Sequence, residues 1–355
     1  MFQTAIYRQP AFQPSLPVQP TEYQMFWRAP SWRWWRPIVG LIVGVLIMLV
    51  LAIMLSSGAV ALDILTGRLA VDDAVDLSLD QLMSPALFLA NNVVLAGLIP
   101  VAFLISAAVF KQRPGFVSSV VGNLRWRWLA RCLAIITPLW LVMIGIEWIL
   151  SARDGGLDGL GVNADTWLLV IGILITTPLQ SAGEEYGFRG AINRLVASFF
   201  ANKTVSLVVG LLASSTAFMF AHSAADPWLN TYYFFFGAAS CILVWRTGGL
   251  EASIVMHVVN NVLSEAALPF SDLSGLFDRS VGAAGPEILI QMGVVAVATA
   301  VICWQAKRTG VVTATAPVAE MAVPQAPNQS VLATNQPLIN PRPWESGNQT
   351  RPDYS

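Results

Sequence analysis

The sequence predicts an all-α fold, a polytopic membrane helix bundle with about eight transmembrane helices. Composition is the first reason: 55% of the 355 residues are hydrophobic and 12% are charged, whereas soluble domains carry about 25% charged residues. The mean hydropathy of +0.61 is the second. The third is the recurrence of long apolar stretches, since a spanning helix needs about 20 apolar residues. The net charge of −1 provides no basic surface for nucleic acid, so we expect no such partner.

The predicted helices follow one another between two polar tails. We place them at residues 37–55, 84–110, 129–150, 167–179 with its extension, 204–221, 231–245, 250–268 and 288–306. Residues 1–36 are predicted to be a disordered or surface-lying tail ending in an aromatic and cationic interface anchor. Residues 309–355 are predicted to be a disordered tail. The stretch 123–129 is expected to lead into the third helix along the membrane interface, with arginines reaching the headgroups.

Charge placement predicts the orientation. If both termini lie in the cytoplasm, only Arg68, Arg153 and Arg279 of the 20 lysines and arginines fall on the outer side. Cytoplasmic loops carry an excess of these residues, so an even number of spans with both termini cytoplasmic is predicted. The regions are then the cytoplasmic N-terminal tail 1–36, transmembrane helices 37–150, a core at 160–270, the last transmembrane helix 287–308 and the cytoplasmic tail 309–355.

Two adjacent carboxylates, Glu184 and Glu185, lie at the end of the fourth apolar run. Ionisable groups inside a membrane are costly and are functional candidates by default. Glu185 and Arg189 are four residues apart, so they share a helix face and can pair. Glu184 lies about 100° around the helix from Glu185. We therefore expect two roles, with one carboxylate held by the arginine and the other facing a cavity as a general base.

The only two histidines of the chain mark two further sites. Phe218 and His222 share a face at the end of the fifth helix, and His257 shares a face with Asn261 in the seventh. Asn260 is also within reach of that face, so both asparagines remain candidates. Helix lengths bring the three sites together in the inner third of the bilayer. This placement predicts non-helical backbone at 223–230, which a membrane tolerates where it lines a cavity.

These residues resemble the signature motifs of a known family, the CPBP intramembrane endopeptidases. That family includes the type II CAAX prenyl endopeptidases and bacterial ABI-type proteins of bacteriocin processing and self-immunity. The motifs as they stand in this chain are Glu184-Glu185-x-x-x-Arg189, Phe218-x-x-x-His222 and His257-x-x-x-Asn261. The resemblance covers about residues 167–268. It implies that 160–270 is a catalytic transmembrane core, surrounded by the lipid bilayer, that hydrolyses a peptide bond in a membrane-associated peptide or protein at a cytoplasm-facing cavity.

The resemblance also implies roles for these residues. Glu184 would activate the water as a general base, and His222 would help to hold that water. His257 and Asn261 would stabilise the developing oxyanion. Glu185, Arg189 and Phe218 would support this arrangement. Because the tails carry no eukaryotic organelle signal, we expect a multi-pass protein of a bacterial plasma membrane.

A metal ion is one possibility for this site. A Zn²⁺ ion with a position left for water could be held by Glu184, His222 and His257. No other histidine and no nearby cysteine could supply a fourth protein ligand. A metal-free mechanism of glutamate and histidine is the other possibility, and the sequence leaves both open.

Two other functions compete with proteolysis. A binding or self-immunity protein could keep the cavity and shield a target without cleaving it. A transporter could use the glutamates and histidines as a proton or metal relay. The sequence lacks the inverted repeats common in transporters, and its ionisable sites are predicted at one depth, both of which disfavour the relay.

Overall fold

The computed structural model describes residues 14–72, 84–153, 160–271 and 279–318, and these form an all-α helix bundle. Eight long helices are present in the described part of the chain. They are α1 (Trp35–Leu65), α2 (Pro85–Val109), α3 (Trp126–Arg153), α4 (Thr166–Ala197), α5 (Lys203–Ala221), α6 (Pro227–Thr247), α7 (Glu251–Ser264) and α8 (Ile288–Arg308). Each corresponds to one predicted apolar run, which confirms the predicted fold class.

The expected number of eight spans is corrected by the helix lengths and compositions. Within the described residues, six helices are long and apolar enough to cross a membrane: α1, α2, α3, α4, α5 and α8. Helix α6 has 21 residues but contains many tyrosine, asparagine and tryptophan residues. Helix α7 has 14 residues, about 21 Å, which is short of a hydrocarbon core of about 30 Å. Helix α7 has no exposed residue before its last position and carries His257 and Asn261, whereas α6 is mostly buried but leaves Ile242 36% exposed.

The break between α5 and α6 is shorter than predicted. Helix α5 ends at Ala221, and α6 already begins at Pro227. The Asp226 side chain caps α6 by accepting hydrogen bonds from the backbone N–H groups of Trp228 and Leu229 at 2.8 and 3.0 Å. An aspartate cap followed by proline at the first helical position is a strong helix start. The predicted non-helical stretch 223–230 is therefore confined to a few residues after His222.

The N-terminal tail is folded where the structure describes it, which corrects the expectation of a disordered or surface-lying segment. Tyr23, Phe26 and Trp27 are buried. They enclose the guanidinium of Arg194, whose carbon lies 3.5 Å from the centroid of the Tyr23 ring. Aromatic faces attract such cations. These aromatic residues therefore cover a buried cation near the C-terminal end of α4.

The start of the C-terminal tail is also folded, because it pairs with the N-terminal segment. Strand β1 (Thr21–Glu22) pairs antiparallel with strand β2 (Ala314–Thr315). The Thr315 hydroxyl donates a hydrogen bond to the carbonyl of Val120 at 2.6 Å. Residues 1–13 and 319–355 lie outside the described residues, so disorder there stays a prediction.

Arg125, at the start of α3, was expected to extend to the lipid headgroups. In the structure it binds a buried carboxylate instead. Arg125 binds Glu251 through Nε at 2.8 Å and through Nη2 at 2.7 Å. Glu251 is fully buried at the first position of α7. The backbone N–H of Leu250 also donates to the carbonyl of Ser118 at 2.8 Å. These bonds fix the position from which α7 enters the bundle.

The Arg125–Glu251 pair should therefore be a main source of stability. Replacing Glu251 by Gln leaves a buried guanidinium without its counter-charge, which costs about 3–5 kcal/mol. We expect a large loss of the free energy of unfolding, measured by thermal or denaturant unfolding in detergent. The matched control is Arg68→Ala, because the Arg68–Asp165 pair is exposed, with side-chain exposures of 45% and 26%. That change should cost less than about 1 kcal/mol. Equal losses in the two variants would contradict this assignment.

Candidate functional site

The two adjacent glutamates and the seventh-helix histidine meet in one buried cluster. His257 Nδ1 lies 2.9 Å from Glu185 Oε1, and His257 Nε2 lies 3.1 Å from Glu184 Oε2. Arg189 Nη1 lies 2.9 Å from the same oxygen of Glu185. The predicted Glu185–Arg189 pair is therefore present. Its arginine is fully buried, so the ion pair lies inside the bundle and not at its edge.

The two carboxylates have different surroundings. Glu185 is fully buried, and its Oε1 contacts both Arg189 and His257. Glu184 keeps 6% of its surface exposed. Its Oε2 accepts no hydrogen bond within the described residues, because the contact with His257 Nε2 is close but not aligned. Oε2 of Glu185 also has no hydrogen bond there, but that residue has no surface open to a ligand. Of the two carboxylates, only Glu184 thus keeps any exposed surface, although its Oε2 atom is itself buried.

Two glycines bring this helix face against α2. A Cβ atom on Gly183 would collide with the backbone carbonyl of Leu95, and one on Gly187 would lie 2.9 Å from the Leu98 side chain. Small residues four apart let two membrane helices approach closely, and here they let α2 approach α4. Directly after Glu185 the helix widens into π-helical winding over Tyr186–Ile192. Such stretches are rare and frequently lie at functional sites.

The second predicted site, Phe218 and His222, contacts the cluster through aromatic rings. The Phe218 ring lies 4.5 Å from the His222 ring and 5.7 Å from the His257 ring, between centroids. The Arg189 guanidinium lies over the same ring at 4.3 Å. His222 stacks on Tyr233 of α6 at 3.9 Å. Tyr233 was not predicted, because no spacing within one helix indicates a ring contributed by the next.

His222 is half-buried and is held at the break after α5. Its Nδ1 lies 2.8 Å from the carbonyl oxygen of Phe218. Arg279 donates a hydrogen bond from Nη1 to the backbone carbonyl of His222 at 2.6 Å. The sequence indicated Arg279 only as an outer-side charge. In the structure the segment that precedes α8 lies directly against the His222 break.

At the third predicted site the sequence did not decide between Asn260 and Asn261. The structure gives the two asparagines different partners. Asn261 donates from Nδ2 to Gln180 Oε1 of α4 at 3.2 Å. Asn260 instead faces three other helices, where its Oδ1 accepts hydrogen bonds from Trp140, Tyr232 and Gln291. Only Asn261 is therefore linked directly to the helix that carries the glutamates. Gln180 received no role from the sequence, although it lies one turn before Glu184.

The side chains do not form a three-ligand metal site in this arrangement. Among the described residues, no group of three or more histidine, cysteine, aspartate or glutamate side chains converges to hold an ion. Both ring nitrogens of His257 face carboxylates, and one nitrogen of His222 faces a backbone carbonyl. The Zn²⁺ ligand set of Glu184, His222 and His257 thus stays a prediction.

The fold and this cluster define a class of protein: a polytopic membrane helix bundle with an enclosed site of carboxylates and imidazoles. Residues 164–263 match the family model described as type II CAAX prenyl endopeptidase Rce1-like. This match supports the resemblance to the CPBP family and, with it, a CAAX protease-type enzyme in a membrane. The matched segment is less than a third of the chain and contains α4 to α7 almost completely. Comparisons with curated proteins and with solved structures gave no match.

The close approach of α2 and α4 gives a test of how the cluster is positioned. Gly183→Ala must push α2 away from the turn that carries Glu184, and such overpacking costs about 1–3 kcal/mol. The control is Gly145→Ala in α3, where a Cβ meets no atom within 4 Å. In the control the higher helix propensity of alanine is the only expected effect, at most about 1 kcal/mol in its favour. Unfolding in detergent measures both. A Gly183→Ala protein as stable as the control would contradict this packing.

Proposed function

We propose that this protein is an intramembrane endopeptidase that hydrolyses a peptide bond in a membrane-associated peptide or protein. The observation that carries the proposal is the buried cluster in which Glu184 Oε2 lies beside His257 and has no hydrogen-bond partner among the residues that the structure describes. The family match over residues 164–263 supports the same activity. Clustered ionisable groups inside a membrane bundle are the usual mark of a functional site.

In the proposed reaction, Glu184 is the general base. A water molecule near its free oxygen attacks the carbonyl carbon of the scissile peptide bond and transfers one proton to the carboxylate. The tetrahedral intermediate then breaks its C–N bond, and the protonated Glu184 returns the proton to the leaving amine. A positioned base of this kind contributes about 10²–10⁴-fold to a rate.

His222 is proposed to hold that water. A ring nitrogen 2.8 Å from a carbonyl oxygen must carry a hydrogen, because the carbonyl can only accept. In neutral His222 this hydrogen is on Nδ1, so Nε2 has a free lone pair. Nε2 can then accept a hydrogen bond from the water while Glu184 takes its other proton. The stacking of His222 on Tyr233 keeps the ring plane fixed.

His257 and Asn261 are proposed to stabilise the oxyanion. Glu184 and Glu185 carry two negative charges and Arg189 one positive charge, so a doubly protonated His257 makes the cluster neutral, as buried charges require. Its Nδ1–H is then held by Glu185. Its Nε2–H can donate to a developing oxyanion beside Glu184. A single well-placed donor of this type contributes about 10²–10³-fold.

The remaining residues support this arrangement. Glu185 holds His257 in position, and Arg189 neutralises Glu185. Phe218 packs between the two histidines and beneath the arginine. The excess of arginine and lysine on one side supports a plasma-membrane protein with both termini in the cytoplasm. The substrate then approaches from within the lipid bilayer.

Glu184→Gln tests the proposal, because the amide is nearly isosteric and cannot act as a base. We expect cleavage to fall by about 10²–10⁴-fold in a protein that keeps a cooperative unfolding transition, so that loss of folding is not the cause. The purified protein is incubated in liposomes with a panel of tagged single-span peptides, with and without a chelator, and products are measured by mass spectrometry. Glu287→Gln, at the exposed start of α8, is the matched control and should cleave like wild type.

Two outcomes would reject peptidase activity. Cleavage by the folded Glu184→Gln protein at the wild-type rate would show that Glu184 is not the general base. A wild-type protein that protects cells from a bacteriocin without cleaving any peptide, with protection unchanged in Glu184→Gln, would favour the self-immunity or binding function. Loss of cleavage with the chelator alone would assign the activity to a metal-dependent form of the site.

A further inference from the structure

A chain of side-chain amides leads from the core of the bundle to the proposed oxyanion site. Asn260 Nδ2 donates to Asn261 Oδ1 at 3.0 Å, and Asn261 Nδ2 donates to Gln180 Oε1 at 3.2 Å. Gln180 and Asn260 are buried, with 7% and 9% of their surfaces exposed, whereas Asn261 is half-buried. The half-buried member is thus the one that a substrate can reach.

The indole N–H of Trp140 fixes the donor-to-acceptor direction of this chain, because it can only donate a hydrogen bond. Trp140 Nε1 lies 3.2 Å from the amide of Asn260, and an indole nitrogen has no acceptor capacity. The oxygen of Asn260 must therefore face Trp140, and its Nδ2 must face Asn261. It follows that Asn261 presents its oxygen to Asn260 and its Nδ2 towards Gln180. The orientation of an amide normally has to be inferred from such a network.

Gln180 completes the chain from the α4 side. Its Oε1 accepts hydrogen bonds from Asn261 and from the Ser181 hydroxyl, at 3.2 and 3.0 Å. Because Gln180 and Glu184 are four residues apart in α4, they share a helix face. His257 and Asn261 have the same spacing in α7. One Asn261 N–H is used by Gln180, which leaves the second N–H for a group bound between these two faces.

We propose that Gln180 is a positioning residue for the hydrolytic reaction, because it orients the side-chain amide of Asn261 from the α4 side. Trp140 and Asn260 orient the same amide from the opposite side. Together they hold the Asn261 amide with its free N–H towards the oxyanion. Without them the amide rotates by half a turn in a fraction of the molecules, and an oxygen then faces the oxyanion and repels it. This inference rests on the proposed peptidase function and adds residues that do not themselves contact the substrate.

The test compares kinetic constants of variants in liposomes. Gln180→Met removes the acceptor at similar volume, and Trp140→Phe removes the indole N–H while keeping a buried ring. We expect kcat to fall about tenfold or more in Gln180→Met and several-fold in Trp140→Phe, with KM changed less than about twofold, since only a transition-state donor is displaced. Both effects should disappear in an Asn261→Ala background, because Asn261 is then no longer there to be positioned.

Trp128→Phe is the matched control. Trp128 is a buried tryptophan of the same helix α3, and its Nε1 has no hydrogen-bond partner within the described residues. It should cleave like wild type. If Gln180→Met does not fold, as judged by its unfolding transition, Trp140→Phe decides the question.

Two results would overturn the inference. In the first, Gln180→Met or Trp140→Phe has the same kcat as Trp128→Phe. In the second, their losses multiply with that of Asn261→Ala, as expected of independent structural damage. A wild-type protein that cleaves nothing is a separate outcome, because it rejects the peptidase function itself and is read from the wild-type and Glu184→Gln measurements.

Discussion

The structure depends on the burial of two adjacent carboxylates beside one arginine and one histidine. Glu184 and Glu185 are 6% and 0% exposed, in a helix that is otherwise largely apolar. Removing such charges from water costs several kcal/mol each, so they persist only with close counter-charges. Arg189 supplies one from the same helix, and His257 of α7, in the doubly protonated form that we propose, supplies the other. The position of α7 relative to α4 is therefore the main geometric requirement of this fold.

The surrounding features meet that requirement. Gly183 lets α2 approach the turn that carries the glutamates. The Arg125–Glu251 pair fixes the start of α7, six residues before His257. The break after α5 brings His222 to the same region, where the Phe218 ring joins both histidines. These contacts involve five helices, α2, α3, α4, α5 and α7. The site therefore forms only when these helices are packed together.

Much of this could be predicted from residue spacing within single helices. The pairing of Glu185 with Arg189, and of Phe218 with His222, follows from a separation of four residues. Contacts between helices gave no such signal. Gln180, Tyr233 and Arg279 were missed because their partners lie far along the chain. The aromatic residues near Tyr23 were assigned to a disordered or surface-lying tail, since the sequence does not show that Arg194 is buried beneath them. The number of spans was overestimated by two, because α6 and α7 are apolar runs that do not form helices long and apolar enough to span; α7 has only 14 residues.

A double-mutant cycle on Glu185 and Arg189 tests most directly whether the buried charges form one unit. The free energy of unfolding would be measured in detergent for Glu185→Leu, Arg189→Leu and the double variant. Each single change strands a buried charge and should cost about 3–5 kcal/mol, whereas the double variant should cost clearly less than their sum. Costs that add, within about 0.5 kcal/mol, would show that the two charges do not depend on each other and would contradict this account.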